Sequence, residues 1–138
     1  MSRRRTLRGT LGDTELRRLV VDDGQLNRGY LVKEFHVWST SLGGGRNTEL
    51  VLSLNEDITA GWRADDSRQI GWGAMITQVG GVEKLDAFSL IDPDHVVLRD
   101  LWIKALNPDG GNYMIVLEPI ALTDNETILT LIKEDRES

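Results

Sequence analysis

Closely spaced carboxylates are the residues of this chain whose type and spacing could do chemistry. Asp65-Asp66 and Asp92-Pro93-Asp94 each place two acidic side chains in one short segment. Such pairs can bind Ca²⁺ through their oxygens, or serve as the acid and base of a glycosidase. Neither segment matches an EF-hand, and carboxylate pairs in loops usually cap turns and hydrate the surface. We therefore expect surface groups here, neither a metal site nor a catalytic site.

Other catalytic and ligand-binding motifs are missing from the sequence. The only histidines, His36 and His95, lack the spacing of a metal site, and there is no cysteine to form a disulfide, a thiolate ligand or a nucleophile. No nucleophile elbow, Walker loop or GxGxxG is present. Gly43–Gly45 lacks the lysine and helix of a phosphate-binding loop. The sequence therefore predicts a protein that is not an enzyme and has no metal or cofactor.

Four tryptophans stand out in a chain with only two Phe and two Tyr. Trp38 and Trp102 fall in predicted strands and are expected in the core or an interface. Trp62 lies in the polar segment 56–68, and Trp72 follows it closely. Exposed rings beside acidic and amide groups would suit stacking on a sugar. The interpretation that we favour is that Trp62 anchors its loop on the domain or on a neighbouring subunit.

Charge divides the chain into a basic N-terminal segment and an acidic body, with a net charge of −6. Residues 1–20 hold six arginines and two acidic residues, whereas residues 21–138 hold ten basic and twenty acidic residues. We interpret residues 1–18 as an arm and residues 19–138 as one domain, although a solvated tail fits equally well. So short a cluster would bind nucleic acid only weakly. The arm's contacts are expected from Arg3, Arg4, Arg5 and Arg8.

Short alternating runs separated by Gly, Asp, Asn and Pro predict strands and turns from Val20 onward. The one predicted helix is a short one near Thr14–Leu19, with Thr14 as its N-cap. The last third of the chain predicts an antiparallel meander, in which Pro119 indicates an edge position or a bulge. Its strands are expected at His95–Leu106, Asn112–Leu122 and Thr127–Glu134.

A further strand is predicted at Tyr30–Ser39, with Tyr30 and Trp38 on one face and Phe35 on the other. Neither face is purely apolar, so this strand is expected to serve both the core and a subunit contact. About eight strands with glycine-rich connections predict an all-β fold: an antiparallel, jelly-roll-like β-sandwich with a short N-terminal arm. No apolar run approaches the roughly 18 residues that span a bilayer, so no membrane contact is expected. The candidate interface or ligand surface comprises Tyr30, Trp38, Trp62 and Trp72.

Three segments carry a resemblance to a known group of proteins: Asp66–Trp72, Leu90–Ile103 and Leu122–Leu129. They resemble small structural proteins of tailed phages of marine bacteria, over about the C-terminal half of the chain. The resemblance implies a capsid decoration (cement) protein or minor capsid subunit, made in the host cytoplasm and located in the virion. Its expected partners are copies of itself, as a homo-oligomer, and a major capsid protein. The resemblance brings no defined site residues.

An alternative function from a different class is a carbohydrate- or receptor-binding β-sandwich of a phage tail or spike. The basic N-terminal segment separates the two hypotheses, because a glycan-binding module has no need of it. The exposed tryptophans would instead carry the binding in the alternative.

Overall fold

A computed structural model describes residues 4–22, 24, 27–41, 45–58, 61–77, 85–92 and 95–136. These residues form strands that alternate in burial, followed by one C-terminal helix. The elements are β1 (Arg5–Leu11), β2 (Leu16–Val20), β3 (Arg28–Trp38), β4 (Asn47–Ser53), β5 (Gln69–Thr77), β6 (Leu85–Ile91), β7 (Val96–Val97), β8 (Asp100–Ala105), β9 (Gly111–Ala121) and α1 (Asp124–Arg136).

The strands form two antiparallel sheets packed face to face. The four-stranded sheet has the order β1-β9-β3-β7, and the five-stranded sheet has the order β2-β8-β4-β5-β6. The chain changes sheet at most of its connections, which is the strand order of a jelly roll with β6 added at one edge. The predicted antiparallel β-sandwich is therefore confirmed.

The core lies between the inner faces of the two sheets. Phe35, Ile115 and Leu117 of the four-stranded sheet face Leu52 and Ile103 of the five-stranded sheet, and each is at most 1% exposed. Alternation along β8 and β9 supplies Ile103, Ile115 and Leu117, because every second side chain points inward. Two glycines of β5, Gly71 and Gly73, let the sheets approach at Phe35 and Val37. Packing in the core therefore fixes the position of β5, and with it the position of β6, which pairs with β5.

Residues 5–20 belong to this sandwich, where the sequence predicted an arm over residues 1–18. β1 pairs with β9 from Arg5↔Leu117 to Leu11↔Gly111, and β2 pairs with β8. The predicted helix at Thr14–Leu19 is wrong, because Thr14 has a φ of 46° in the turn between the two strands. The missed signal is the alternation of Leu7, Gly9 and Leu11 with polar residues.

The predicted meander in the last third is also wrong. Residues 95–106 divide into β7, in the four-stranded sheet, and β8, in the five-stranded sheet, so β8 and β9 form no hairpin. Thr127–Glu134 lies in α1 instead of a strand. Thr123 and Glu126 form a capping box: the Glu126 amide donates to Thr123 Oγ1 at 3.1 Å, and the Thr123 amide donates to Glu126 Oε1 at 3.0 Å.

A bulge in β3 explains why neither predicted face of this strand is purely apolar. The register with β9 shifts between Val32 and Glu34. Val32 is buried before the shift, and Phe35 and Val37 are buried after it. The inward face therefore changes from even-numbered to odd-numbered residues. Pro119, for which the sequence predicted an edge position or a bulge, lies in a central strand and pairs with Tyr30 of β3.

Candidate interaction surface

The outer face of the five-stranded sheet exposes large apolar side chains along β5 and β6. Phe88 and Leu90 of β6 are 44% and 60% exposed. Phe88 lies opposite Ala74, and Leu90 lies opposite Trp72. Cross-strand partners project from the same face, so these side chains form a continuous surface. We call it the β5–β6 apolar surface; it comprises Trp62, Trp72, Ile76, Phe88 and Leu90.

Trp62 reaches this surface from the segment 54–68, which connects β4 to β5. Its ring packs edge to face against Phe88, with centroids 5.3 Å apart and an interplanar angle of 72°. Its indole Nε1 donates to the carbonyl oxygen of Leu50 at 3.2 Å. Both contacts are within the domain, and the ring is still 36% exposed. The structure thus places Trp62 as the residue that fixes its loop on the sheet, in agreement with the favoured interpretation.

Gln69, at the start of β5, forms hydrogen bonds with the same segment. The side chain is 3% exposed, and its Nε2 donates to the carbonyl oxygen of Gly61 at 2.8 Å. Its Oε1 accepts the Arg63 amide at 2.8 Å and Trp72 Nε1 at 2.9 Å. One buried amide therefore joins the loop to the sheet and orients Trp72. The indole N–H groups of both tryptophans are used inside the protein.

The carboxylates Asp65 and Asp66 are paired with arginines of their own loop. Arg68 donates from Nε to Asp66 Oδ1 at 2.9 Å and from Nη1 to Asp57 Oδ2 at 3.2 Å. The hydrogen bonds from Arg68 lower the pKa of Asp66, although partial burial opposes the shift. Arg63 lowers the pKa of the exposed Asp65 in the same way, first through its hydrogen bonds. These carboxylates therefore stay ionised and organise the loop.

The histidines lie apart from the acidic loop. His95 Nε2 is 3.0 Å from Asp92 Oδ2, and His36 Nε2 is 3.1 Å from Glu34 Oε1. Asp94, the second carboxylate predicted for this pair, lies outside the described residues. Within the part of the chain that the structure describes, no three His, Asp or Glu side chains are grouped as metal ligands. Each of the two histidines thus lies beside a single carboxylate, in two separate pairs.

The N-terminal arginines contact their own domain. Arg5 donates from Nη1 to the carbonyl oxygen of Val21 at 2.8 Å and from Nη2 to that of Val20 at 3.3 Å. In the reverse direction, Arg17 of β2 donates to the carbonyl oxygen of Thr10 in β1 at 2.9 Å. These guanidinium groups therefore bridge the two edge strands on one side of the sandwich.

The remaining predicted arm residues have different surroundings. Arg4 lies 3.6 Å from Glu34 and 3.5 Å from Glu118, both on the outer side of the four-stranded sheet. Arg8 lines a shallow depression of about 250 Å³ together with Trp38, which is 40% exposed. Arg3 lies outside the described residues.

The four predicted surface residues do not form one site. Trp62 and Trp72 lie together on the five-stranded sheet, whereas Trp38 lies on the other sheet. Tyr30 is 4% exposed and belongs to the core, because it precedes the β3 bulge on the inward face. Sequence reasoning missed Phe88 and Leu90, although their alternation with Ala87 and Ser89 was a visible signal.

Comparison with known proteins identified no relative of this chain: no family model, no curated protein and no solved structure matches it. Among the described residues, no helix has the length and apolar character needed to cross a membrane. The class of protein defined here is thus an antiparallel β-sandwich with jelly-roll strand order and an exposed apolar surface on its five-stranded sheet.

Proposed function

We propose that this chain is a non-enzymatic structural protein of a virion, a capsid decoration protein or minor capsid subunit. It assembles with copies of itself and with a major capsid protein. The observation that carries the proposal is the β5–β6 apolar surface, where Phe88 and Leu90 are 44% and 60% exposed on a regular strand. A contiguous apolar area on a soluble domain is typical of a protein contact. Aromatic side chains such as Trp62 are enriched at the centres of such contacts.

The fold supports an assembly role in a general way. Jelly rolls form viral capsid domains as well as lectin domains, so the fold alone leaves the class open. Support for the virion comes from the resemblance of Asp66–Trp72, Leu90–Ile103 and Leu122–Leu129 to small phage structural proteins. The described acidic pairs also support a structural role, because Asp65 and Asp66 are engaged with arginines of the same loop.

The position of the arginines changes the proposed contacts. Arg5 and Arg17 are engaged with backbone carbonyl groups of β2 and β1, so they contribute to the fold of the subunit. We therefore assign the main assembly contact to the β5–β6 apolar surface instead of to a basic arm. Arg8 remains a candidate for a weaker contact with acidic groups of a neighbour or with nucleic acid.

The glycan-binding alternative makes a different use of Trp62 and Trp72. In that case their rings must stack on a sugar, and nearby polar groups must bind its hydroxyls. Both indole N–H groups already donate within the domain, which favours the structural role. Replacing Trp72 by alanine would abolish glycan binding if the alternative holds. A glycan array that detects no ligand for the wild-type chain supports the structural proposal.

Particle incorporation tests the proposal directly. Virions produced with the wild-type chain are expected to retain it through density-gradient purification, at a fixed ratio to the major capsid protein. The double variant F88S/L90S is expected to be lost from particles, because it replaces the most exposed part of the apolar surface. A matched control is I128S/L129S, which replaces two apolar side chains of α1 that are 55% and 65% exposed. Equal loss of both variants would contradict the assignment of the surface.

A further inference from the structure

The edge strands of the two sheets differ in how they are protected against pairing with another chain. Exposed edges of soluble proteins usually carry charged residues, bulges or very short strands. β1 and β2 carry the arginine side chains that bridge them, and β7 has only two residues. β6 has seven residues and pairs with β5 without a described bulge. From Ala87 to Ile91 it contains no charged residue, proline or glycine.

Among the described strands, β6 pairs on one side only, with β5, and one hydrogen bond shows which backbone groups lie at its other edge. The Asp92 amide donates to the carbonyl oxygen of Ile70 at 2.8 Å, in the same register as Trp72↔Leu90 and Ala74↔Phe88. Backbone groups in an antiparallel ladder alternate in direction from one residue to the next. Phe88 and Leu90 therefore bond to β5. Ala87, Ser89 and Ile91 direct their N–H and C=O groups away from the sheet.

We propose that two copies of this chain pair through their β6 strands, antiparallel, about a two-fold axis at Ser89. In this register Ser89 lies opposite Ser89 of the second copy, and Ala87 lies opposite Ile91 of the second copy. These three positions supply about six backbone hydrogen bonds. Phe88 lies opposite Leu90 of the second copy on the outer face, twice by symmetry. The five-stranded sheets of the two copies then form one continuous sheet. This pairing rests on the proposed assembly function and identifies a second copy of the chain as the partner at β6.

The register is selected by the side chains on the outer face. The unpaired N–H and C=O groups at the edge of β6 find partners only in registers that keep Ala87, Ser89 and Ile91 in hydrogen-bonded positions. A two-fold axis at Phe88 pairs only Phe88 with its own copy, and an axis at Leu90 pairs only Leu90 with its own copy and places Phe88 opposite Asp92. Each neighbouring register thus brings only two of the exposed apolar side chains together. The axis at Ser89 brings the four exposed apolar side chains together.

The size of the contact predicts a weak dimer. The exposed apolar area can be summed over four residues of the β5–β6 apolar surface. It equals the area of nearly two fully exposed large side chains, with contributions from Trp62, Ile76, Phe88 and Leu90. At ~200 Å² for each large side chain, their complete burial would remove at most about 350 Å² per copy. Even with the strand backbones, the buried total falls near or below the ~1,200 Å² of a standard stable interface. We therefore expect a Kd in the micromolar range or weaker, so that symmetric assembly must reinforce the pair.

A cysteine cross-link tests the register, because the natural chain has no cysteine. In S89C the two thiols would lie across the two-fold axis, with Cα atoms about 5.5 Å apart. This spacing is within the range of a disulfide. The variant is expected to form a covalent dimer under mild oxidation at concentrations above the Kd. A87C is the matched control on the same strand: its two thiols would be more than ~10 Å apart, so it should stay monomeric.

Charge substitution at the same position provides a test that needs no covalent bond. S89K and S89D place like charges at the axis, so each variant alone is expected to sediment as a monomer at concentrations where the wild type dimerises. An equimolar mixture of the two should recover the dimer. Ser89 is exposed, and its backbone N–H does not bond to β5, so folding should be unaffected. Circular dichroism checks this point for each variant.

The outcomes separate this proposal from the proposed function. If S89C fails to cross-link, or cross-links no faster than A87C, while virions still contain the chain, the β6 pairing is wrong and the virion role stands. If S89C cross-links and the charge mixture dimerises, but purified virions lack the chain, the pairing stands and the virion role is wrong.

Discussion

Replacing Gln69 by methionine tests whether one buried amide holds the Trp62 segment on the five-stranded sheet. Methionine has a similar length but cannot replace the three hydrogen bonds that Gln69 makes with Gly61, Arg63 and Trp72. At about 1 kcal/mol net for each bond, the free energy of unfolding should fall by about 3 kcal/mol. For 138 residues, an unfolding entropy of about 2.1 cal/mol/K per residue converts this loss into a Tm about 10 °C lower.

The assay is equilibrium urea unfolding followed by tryptophan fluorescence, with calorimetry for Tm. Acrylamide quenching of the native state should also rise in Q69M, because the loop that carries Trp62 loses its attachment. D65N is the control in the same segment. It removes a solvent-exposed ion pair with Arg63, so it should leave Tm unchanged. A loss below about 1 kcal/mol in Q69M, or unchanged quenching, would refute the reasoning.

Three further predictions concern the helix, the acidic loop and the core. T123A should reduce the stability of α1 by about 1 kcal/mol, because it removes the N-cap; amide hydrogen exchange in α1 measures the change. Arg68 lowers the pKa of Asp66, so their interaction stabilises the fold at pH values above the ordinary Asp pKa of about 4. This stabilisation is lost as the pH falls through the lowered pKa of Asp66. Urea unfolding should accordingly show R68M less stable than the wild type at pH 7, with a smaller difference at pH 2; an equal difference at both values would contradict this. G73A should cost about 1–3 kcal/mol, because the new Cβ would lie 2.4 Å from Val37 Cγ2; a Tm equal to that of the wild type would show that Val37 moves freely.

The sequence predicts the class of fold because alternation and turn residues are local signals. β3 and β9 were located to within a few residues for this reason. Strand pairing depends on contacts distant in sequence, so the division of residues 95–106 between two sheets could not be read from the alternation. The helix α1 was missed although Thr123 and Glu126 form a capping box, because Ile128, Leu129 and Leu131 also resemble a strand.

The candidate surface was predicted only in part. Trp62 and Trp72 were recognised from their residue type and from the polar segment between β4 and β5. Phe88 and Leu90 were missed because burial is a tertiary property: the same apolar alternation is typical of core and of exposed strands. The arginines show the opposite case. Their clustering suggested a free arm, but Arg5 and Arg17 bridge two strands that only the fold brings together.

The central claim is that this chain is a structural subunit that assembles through the β5–β6 apolar surface. The most direct measurement is quantitative mass spectrometry of gradient-purified virions, made with the wild-type chain or with F88S/L90S. We predict that the wild-type chain is present at a fixed ratio to the major capsid protein and that the variant is depleted at least tenfold. Absence of the wild-type chain from purified virions, or undiminished incorporation of F88S/L90S, would contradict the claim.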